Sequence, residues 1–324
     1  MRIFLWHVHG SWTTALVQGP HEYLLPVLPG RGPDGRGRAL TWDWPARARE
    51  VGPEEAAEAE VDAVLLQRPE ELELCERWLG GRRPGVDLPA IYVEHNAPQG
   101  RIAEMRHPIA ARPELTLVHV THFNDLFWDA GSTPTRVIEH GVIDPGYRYT
   151  GELERCAVAI NEAVRRGRVT GTDLLARFEA VAPLDLFGIG AGALRGVEDP
   201  PQATLHEEFP RRRLYLHPIR WTSLGLTLIE AMHLGMPVVA LATTEAPEAV
   251  PPDAGLLSTS VDSLCAGIRR LMEDPAEARE LGLAARRAAL RRYSLERFLA
   301  DWDALVTELT GVSAAVSPQV EVTA

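Results

Sequence analysis

The chain has 324 residues, of which 45% are hydrophobic and 24% charged, and it carries a formal net charge of -12 at pH 7. This length accommodates two domains of about 150 residues each, and the acidic balance argues against nucleic acids and anionic lipid surfaces as partners. Its three cysteines, Cys75, Cys156 and Cys265, are far apart and form no CxxC pair, which excludes a disulfide framework and favours a reducing compartment.

The N-terminus begins with a short run, RIFLWHV, that is too brief and too polar for a signal peptide. No run in the sequence approaches the 18 or so apolar residues that a membrane-spanning helix needs. We therefore expect a soluble, cytoplasmic protein without a transmembrane segment.

In the first half, apolar runs without alternation are separated by helical or loop stretches, which indicates a parallel sheet covered on both faces. The predicted elements are strands at residues 3–8, 61–66, 90–93, 115–120 and 136–138, a turn at 10–13, a loop at 30–37 and a helix at 70–79.

The pattern lapses into Pro, Gly and polar residues over 144–154, and then the same alternation resumes. The predicted elements are strands at residues 157–160, 184–189, 214–216 and 237–241, with helices at 173–181, 224–234, 261–273, 276–291 and 295–309. The sequence thus predicts an α/β protein with two Rossmann-like, doubly wound domains, residues 1–150 and 151–310, and a disordered tail at 311–324. Two such sheets facing each other form a ligand-binding cleft at the carboxyl ends of their strands.

The segment LYLHPIRWTSLGLTLIEAMHLGMPVVAL, residues 214–241, is the most informative part of the sequence. A buried strand ends at His217, and a helix is predicted to begin near Ser223, with Thr222 or Ser223 as its N-cap. The free N–H groups of residues 223–226 and the helix dipole make an anion site suited to a diphosphate. Gly225 has no side chain, so the diphosphate can approach the helix N-terminus closely. Glu230 lies further along the helix, where its carboxylate would accept hydrogen bonds from vicinal ribose hydroxyls.

This segment resembles the donor-binding signature of retaining GT-B glycosyltransferases, a family typified by bacterial cell-wall and glycolipid mannosyl- and glucosyltransferases. The match lies in Glu230-Ala231-Met232, Gly235 and residues 237–240, which follow the family pattern EAM-x2-G-x-PVVA. Residues 138–144 are similar to the family's IPNGVD segment, and residues 170–175 to its KG-x-D-L-L segment. The resemblance implies a GT-B fold, a nucleotide-diphosphate sugar as donor, and transfer of the sugar to a hydroxyl acceptor with retention of configuration. The acceptor, a sugar, a lipid-linked sugar or a small molecule, stays open.

The chain departs from the family pattern at two positions. The first glutamate of the family motif falls on Thr222, and its phosphate-binding lysine falls on Thr170, whereas the arginine five residues earlier aligns with Arg165. A diphosphate without a metal needs cationic partners. The candidates are Arg165, Arg166, Arg168 and Arg220, the alternative for each being a solvated side chain.

The sugar-donor site predicted in this way comprises Gly10, Ser11, Trp12, Arg165, Arg168, His217, Arg220, Thr222, Ser223, Leu224, Gly225, Leu226 and Glu230. His95, which follows a strand, is the candidate catalytic residue that orients or deprotonates the acceptor hydroxyl, the alternative being a structural histidine. The pairs His7 and His9, and His119 and His122, lack the accompanying Cys or carboxylate spacing of a zinc site, so no metal or other cofactor is expected.

Two other functions remain open from the sequence. A non-catalytic nucleotide-sugar binding or scaffold protein is indicated by Thr222 and Thr170 at motif positions. A GT-B sugar-nucleotide epimerase would need a cluster of acid/base carboxylates, which the sequence does not reveal.

Overall fold

Residues 1–312 are the part of the chain that the structure, a computed structural model, describes, and they contain two parallel β-sheets. The strands of the first sheet are β1 (Arg2–Leu5), β2 (Glu22–Pro26), β3 (Ala48–Val51), β4 (Ala63–Leu66), β5 (Ala90–Glu94), β6 (Thr116–His119) and β7 (Thr135–Val137). They lie in the order β3-β2-β1-β4-β5-β6-β7, and each neighbouring pair is parallel. The helices between these strands are α1 (Gly10–Leu16), α2 (Pro53–Glu58), α3 (Glu71–Trp78) and α4 (His122–Phe127).

The second sheet repeats this arrangement with the order β10-β9-β8-β11-β12-β13. Its strands are β8 (Leu153–Ala159), β9 (Leu184–Gly188), β10 (Val197–Glu198), β11 (Arg212–His217), β12 (Val238–Leu241) and β13 (Gly255–Ser258). The α-helices of this half are α5 (Ala163–Arg166), α6 (Leu175–Glu179), α7 (Gln202–Glu208), α8 (Leu226–Leu234), α9 (Ala246–Ala249), α10 (Val261–Glu273), α11 (Pro275–Arg292) and α12 (Leu295–Thr310).

In each sheet the strand order reverses beside the first strand, between β1 and β4 and between β8 and β11. Doubly wound sheets bind ligands outside the carboxyl ends of their strands at this reversal point. The strands are apolar because helices cover both faces: Phe4, Leu5, Val64 and Leu65 are all fully buried. The predicted α/β class and the pair of Rossmann-like sheets are confirmed.

Several predicted boundaries are wrong. Residues 10–13 were predicted as a turn but begin helix α1, and the helix predicted to begin near Ser223 begins at Leu226 with Gly225 as its N-cap. Strands β2, β3, β10 and β13 and helices α2, α4, α5, α7 and α9 were not predicted. The boundary predicted near residue 150 falls between β7 and β8, and residues 313–324 of the predicted tail lie outside the described residues.

The last helix, α12, packs against the core of the first sheet. Phe298 and Trp302 are buried beside Trp12, whose ring centroid lies 6.3 Å from that of Phe298 and 5.6 Å from that of Trp302. The chain therefore crosses back, so that its C-terminal helix completes the hydrophobic core of its N-terminal half.

Polar contacts also join the two halves near the carboxyl ends of the strands. The hydroxyls of Thr121 and Ser223 lie 3.2 Å apart, and the Glu245 carboxylate accepts a hydrogen bond of 2.8 Å from the backbone N–H of Phe123. The indole of Trp221 donates to the carbonyl of Pro98 at 2.7 Å. These contacts hold the two sheets with their ligand-binding edges facing each other.

We expect Trp302→Ala to lower the free energy of unfolding by about 3–5 kcal/mol, because it removes a buried aromatic ring and leaves a cavity. Urea denaturation measures the loss. Leu290→Ala, at a position that is 38% exposed, is the control and should change stability by about 0.5 kcal/mol or less. Similar losses in the two variants would contradict the packing role of α12.

Candidate active site

A cavity of about 520 Å³ lies between the facing ends of the two sheets and is lined by both halves of the chain. The first half contributes His9, Trp12, His95, Asn96, Gln99 and His140, and the second contributes Glu162, Arg165, Arg166, Val169, Thr222, Leu224 and Leu226. This cavity, called the cleft cavity below, has the volume of a small-molecule site. Six of the predicted site residues line it: Trp12, His95, Arg165, Thr222, Leu224 and Leu226.

The N-terminus of α8 forms one wall of the cleft cavity. Gly225 is the N-cap, and no side chain caps the helix; among the described residues, the N–H groups of Leu226 and Thr227 have no protein acceptor. Such groups, together with the helix dipole, attract an anion. A side chain on Gly225 would crowd His217, since an added Cβ would lie 3.3 Å from its ring, so glycine permits close packing here.

Thr222 and Ser223 do not cap this helix, because they precede its N-cap by three and two residues. Ser223 is buried and bonds instead to Thr121 of the first half. Thr222 does not take part in that contact between the two halves, and it lines the cleft cavity. His217 is buried beneath this loop, where desolvation lowers its pKa to about 4, and it lies 3.4 Å from the Tyr215 hydroxyl.

Glu230 is buried in the second turn of α8 and is only 6% exposed. Desolvation raises the pKa of its carboxyl to about 7, and the hydrogen bond from Gln202 opposes that rise. The Gln202 amide donates to Oε1 at 2.6 Å, and Nε2 of His206 lies 4.0 Å from Oε2. Gly10 and Ser11 lie by a second cavity that also borders Glu230.

Three histidines from the first half, His9, His95 and His140, meet on one side of the cleft cavity. Burial lowers the pKa of His9 to about 4, that of His140 to about 3, and that of His95 well below its ordinary value. All three rings are therefore neutral near pH 7. The ring centroids of His9 and His95 are 4.0 Å apart. Within the described residues, Nε2 of His95 is a buried nitrogen that has no hydrogen-bond partner.

The predicted cations lie in two different places. Arg165 lines the cleft cavity beside Arg166 and forms an exposed ion pair with Glu162. Arg220 is bonded to Asp173 through two contacts of 2.5 and 2.9 Å, and Arg168 joins the same carboxylate at 3.1 Å. Neither Arg220 nor Arg168 lines the cleft cavity, because Asp173 holds both of them outside it.

Sequence reasoning missed several residues at this site, chief among them His9, His140, Glu162 and Gln202. His9 and Glu162 had one available signal, because each follows the first strand of its sheet, where the strand order reverses. Gln202 offered none, since its helix α7 was not predicted. Over residues 1–312 no three His, Cys, Asp or Glu side chains are close enough together to hold a metal ion.

The family model for glycosyl transferases group 1 matches residues 198–288, which include α8 and Glu230. No curated protein matches the chain. Among solved structures, sucrose-phosphate synthase from Thermosynechococcus elongatus is similar with a TM-score of 0.70 at 15% identity, covering 97% of this chain and 100% of that one.

Two further structures are similar over nearly the whole chain. A glycosyltransferase from Rickettsia africae has a TM-score of 0.68 at 13% identity, covering 96% of this chain and 99% of that one. HepE from Anabaena, solved in complex with UDP, has a TM-score of 0.65 at 15% identity, covering 95% of this chain and 100% of that one.

These likenesses identify the fold as GT-B, and the family match covers the helix and carboxylate on which the sequence prediction rested. The predicted resemblance to GT-B glycosyltransferases is confirmed, and a nucleotide-sugar glycosyltransferase is the enzyme class that the comparisons support. No helix within residues 1–312 is long and apolar enough to span a membrane.

We expect replacement of Glu230 by Gln to stabilise the ligand-free protein at alkaline pH. The carboxyl has a folded-state pKa of about 7, against an ordinary value of 4.5. The free energy of unfolding is therefore highest below pH 4.5, where the carboxyl is protonated in both states. It falls as the pH rises from 4.5 through 7, because the unfolded chain ionises more easily than the buried group. The difference between these two values corresponds to about 3 kcal/mol.

Urea unfolding between pH 5 and pH 8 measures this effect. Glu230→Gln should gain stability over the wild type as the pH increases, by about 3 kcal/mol at pH 8. The control is Glu273→Gln, at an exposed position near the end of α10, for which the difference from wild type should not vary with pH. A pH-independent difference for Glu230→Gln would contradict the burial of a charged carboxylate.

Proposed function

We propose that the protein transfers a sugar from a nucleoside diphosphate sugar to a hydroxyl acceptor, with retention of configuration at the anomeric carbon. The observation that carries this proposal is the order of three features along α8 and the loop that precedes it. The uncapped N-terminus of α8 suits the diphosphate, Glu230 suits the ribose, and Thr222 faces the cavity beside them where the sugar would lie.

The diphosphate would accept hydrogen bonds from the N–H groups of Leu226 and Thr227. Arg165 and Arg166 line the same cavity. Their positive charges would stabilise the negative charge that develops on the leaving diphosphate as the bond to the sugar breaks. The exposed pair between Arg165 and Glu162 costs little to separate, because surface ion pairs are weak.

The ribose would bind at Glu230, whose carboxylate can accept hydrogen bonds from both vicinal hydroxyls. Two such donors favour the ionised form and offset the desolvation that raises the pKa of this carboxyl. HepE binds UDP and UDP-glucose in its solved complexes, which supports a nucleotide sugar as the ligand class here.

The acceptor would enter from the histidine side of the cleft cavity. A neutral His95 can accept a hydrogen bond from the acceptor hydroxyl and orient its oxygen toward the anomeric carbon. The acceptor would be a compound with a free hydroxyl group. We also propose that the protein acts in the cytoplasm.

Calorimetric titration with UDP, GDP and ADP, followed by transfer and hydrolysis assays with the sugar conjugates of the nucleotide that binds, tests this function. Binding together with release of nucleoside diphosphate from the conjugate supports a transferase. Binding without turnover over a broad donor panel would favour a scaffold protein, and interconversion of epimeric nucleotide sugars would favour an epimerase. Absence of binding by all three nucleotides would overturn the proposal.

Replacing Arg165 by Gln should raise the Kd for the nucleoside diphosphate about tenfold or more, the effect of losing a hydrogen bond to a charged group. The Kd for the nucleoside alone should change little, because it lacks the phosphates. Arg220→Gln is the matched variant, and its effect should be smaller because Asp173 already holds that guanidinium. Equal effects of Arg165→Gln on nucleoside and nucleoside diphosphate would contradict a phosphate role.

Thr222→Glu should increase discrimination between sugar conjugates more than it changes affinity for the bare diphosphate. A neutral hydroxyl makes weaker sugar contacts than the carboxylate of the family motif, so the wild type should bind the diphosphate nearly as tightly as its sugar conjugate. The control is Thr259→Glu, an exposed position after β13 that adds the same charge elsewhere. If the ratio of the two affinities stays constant in Thr222→Glu, Thr222 does not contact the sugar.

A further inference from the structure

A loop of the first half, residues 38–44, lines two cavities that Glu230 of the second half also lines. The loop follows β2, and the guanidinium of Arg38 fixes its base by donating to the carbonyls of Pro45 and Trp44 at 3.0 and 2.5 Å. The buried indole of Trp44 donates to the hydroxyl of Thr14 at 2.8 Å. These contacts anchor the loop on both sides of Trp42 and present that side chain toward the second half.

Two cavities, of about 360 and 350 Å³, adjoin Glu230. Trp42 borders both of them, and so do Gln202 and Glu230 itself. Trp42 is half-buried, packing partly on the core of the first half. Its remaining surface therefore faces the two cavities that Glu230 also lines.

The smaller of these cavities has walls suited to a flat heterocycle. It lies at the carboxyl ends of β8 and β9, where Phe187, Gly188, Pro200 and Leu205 form its surface. With the diphosphate at the N-terminus of α8 and the ribose at Glu230, the base has to extend away from the cleft cavity, and this cavity is the adjoining space on the same half of the chain.

We propose that the indole of Trp42 stacks on the nucleobase of the bound nucleotide, so that the base is held between the two halves of the protein. This inference rests on the proposed function, because it takes a nucleoside diphosphate as the ligand. Stacking on an aromatic ring tolerates any base, since every base has a π-face. Trp42 therefore supplies affinity for the nucleoside, while base selectivity comes from polar groups elsewhere in the cavity.

Trp42→Leu and Trp42→Phe test the proposal by calorimetry with the nucleoside diphosphate that the wild type binds and with the corresponding nucleoside. Leucine keeps apolar contact with the core without a ring, and phenylalanine keeps a ring. We expect Trp42→Leu to raise both Kd values by the same factor, about tenfold, and Trp42→Phe to recover most of the affinity. Leu40→Ala, at a position of the same loop that is 81% exposed, is the control and should bind as the wild type does.

The outcomes separate this inference from the proposed function. Unchanged affinity of a folded Trp42→Leu variant, with its melting temperature near that of the wild type, would overturn the stacking role and leave the function intact. A loss confined to the diphosphate, with the nucleoside unaffected, would also overturn it, because stacking acts on the base. A wild type that binds none of the three nucleoside diphosphates would overturn both proposals.

Discussion

Trp12 is the residue through which the core of the first half is joined to the cleft cavity. One side of its indole packs against Phe298 and Trp302 of α12, and its ring centroid lies 5.0 Å from that of His95. Because Phe298 and Trp302 belong to α12, the wall of the cavity formed by the first half depends on packing with a helix from the other half of the sequence. A rigid core contact of this kind fixes the position of His95 without any hydrogen bond to its Nε2.

Desolvation gives the cleft its chemical character. Burial lowers the pKa of His9, His95 and His140 and raises that of Glu230, so each group shifts toward its neutral form. The chain as a whole carries a net charge of -12, yet Arg165 and Arg166 line the cavity beside a helix N-terminus. An anionic ligand thus meets local positive potential in an otherwise acidic protein. The attraction depends on where these charges lie and not on the net charge of the chain.

The sequence predicted helices that have a periodic apolar face and a local cap, and strands that are apolar throughout. Helix α10 was predicted with its observed bounds, 261–273, because its apolar face is periodic and Ser260 caps it by accepting from the N–H of Ser263. Strand β3, Ala-Arg-Glu-Val, was missed because it lies at the edge of its sheet and carries two charged residues. Helix α1 looked like a turn because glycine, serine and threonine favour turns, and the burial of residues 12–16 overrides that preference.

The start of α8 illustrates what sequence reasoning could not reach. Thr222 and Ser223 have the composition of N-caps, but Ser223 bonds to Thr121, which is 102 residues away in the other half. The same limit applies to the site. Residues within the motif were predicted, since a local pattern identifies them. Trp42 was missed because its loop and Glu230 line the same cavities only once the two sheets face each other. Gln202 was missed because helix α7 brings it to Glu230 only in the fold.

The contact between Gln202 and Glu230 also determines how much the carboxylate can contribute to binding. In the ligand-free protein one carboxylate oxygen already accepts a hydrogen bond of 2.6 Å from Gln202. Because a carboxylate has about four acceptor sites, a ribose at Glu230 would bind beside Gln202, through Oε2 and the remaining lone pair of Oε1. Gln202 reduces the desolvation cost of the buried carboxylate and, for the same reason, takes one of the acceptor sites that Glu230 offers. Affinity for the nucleoside then depends also on contacts to the base, which is where the two halves of the protein meet.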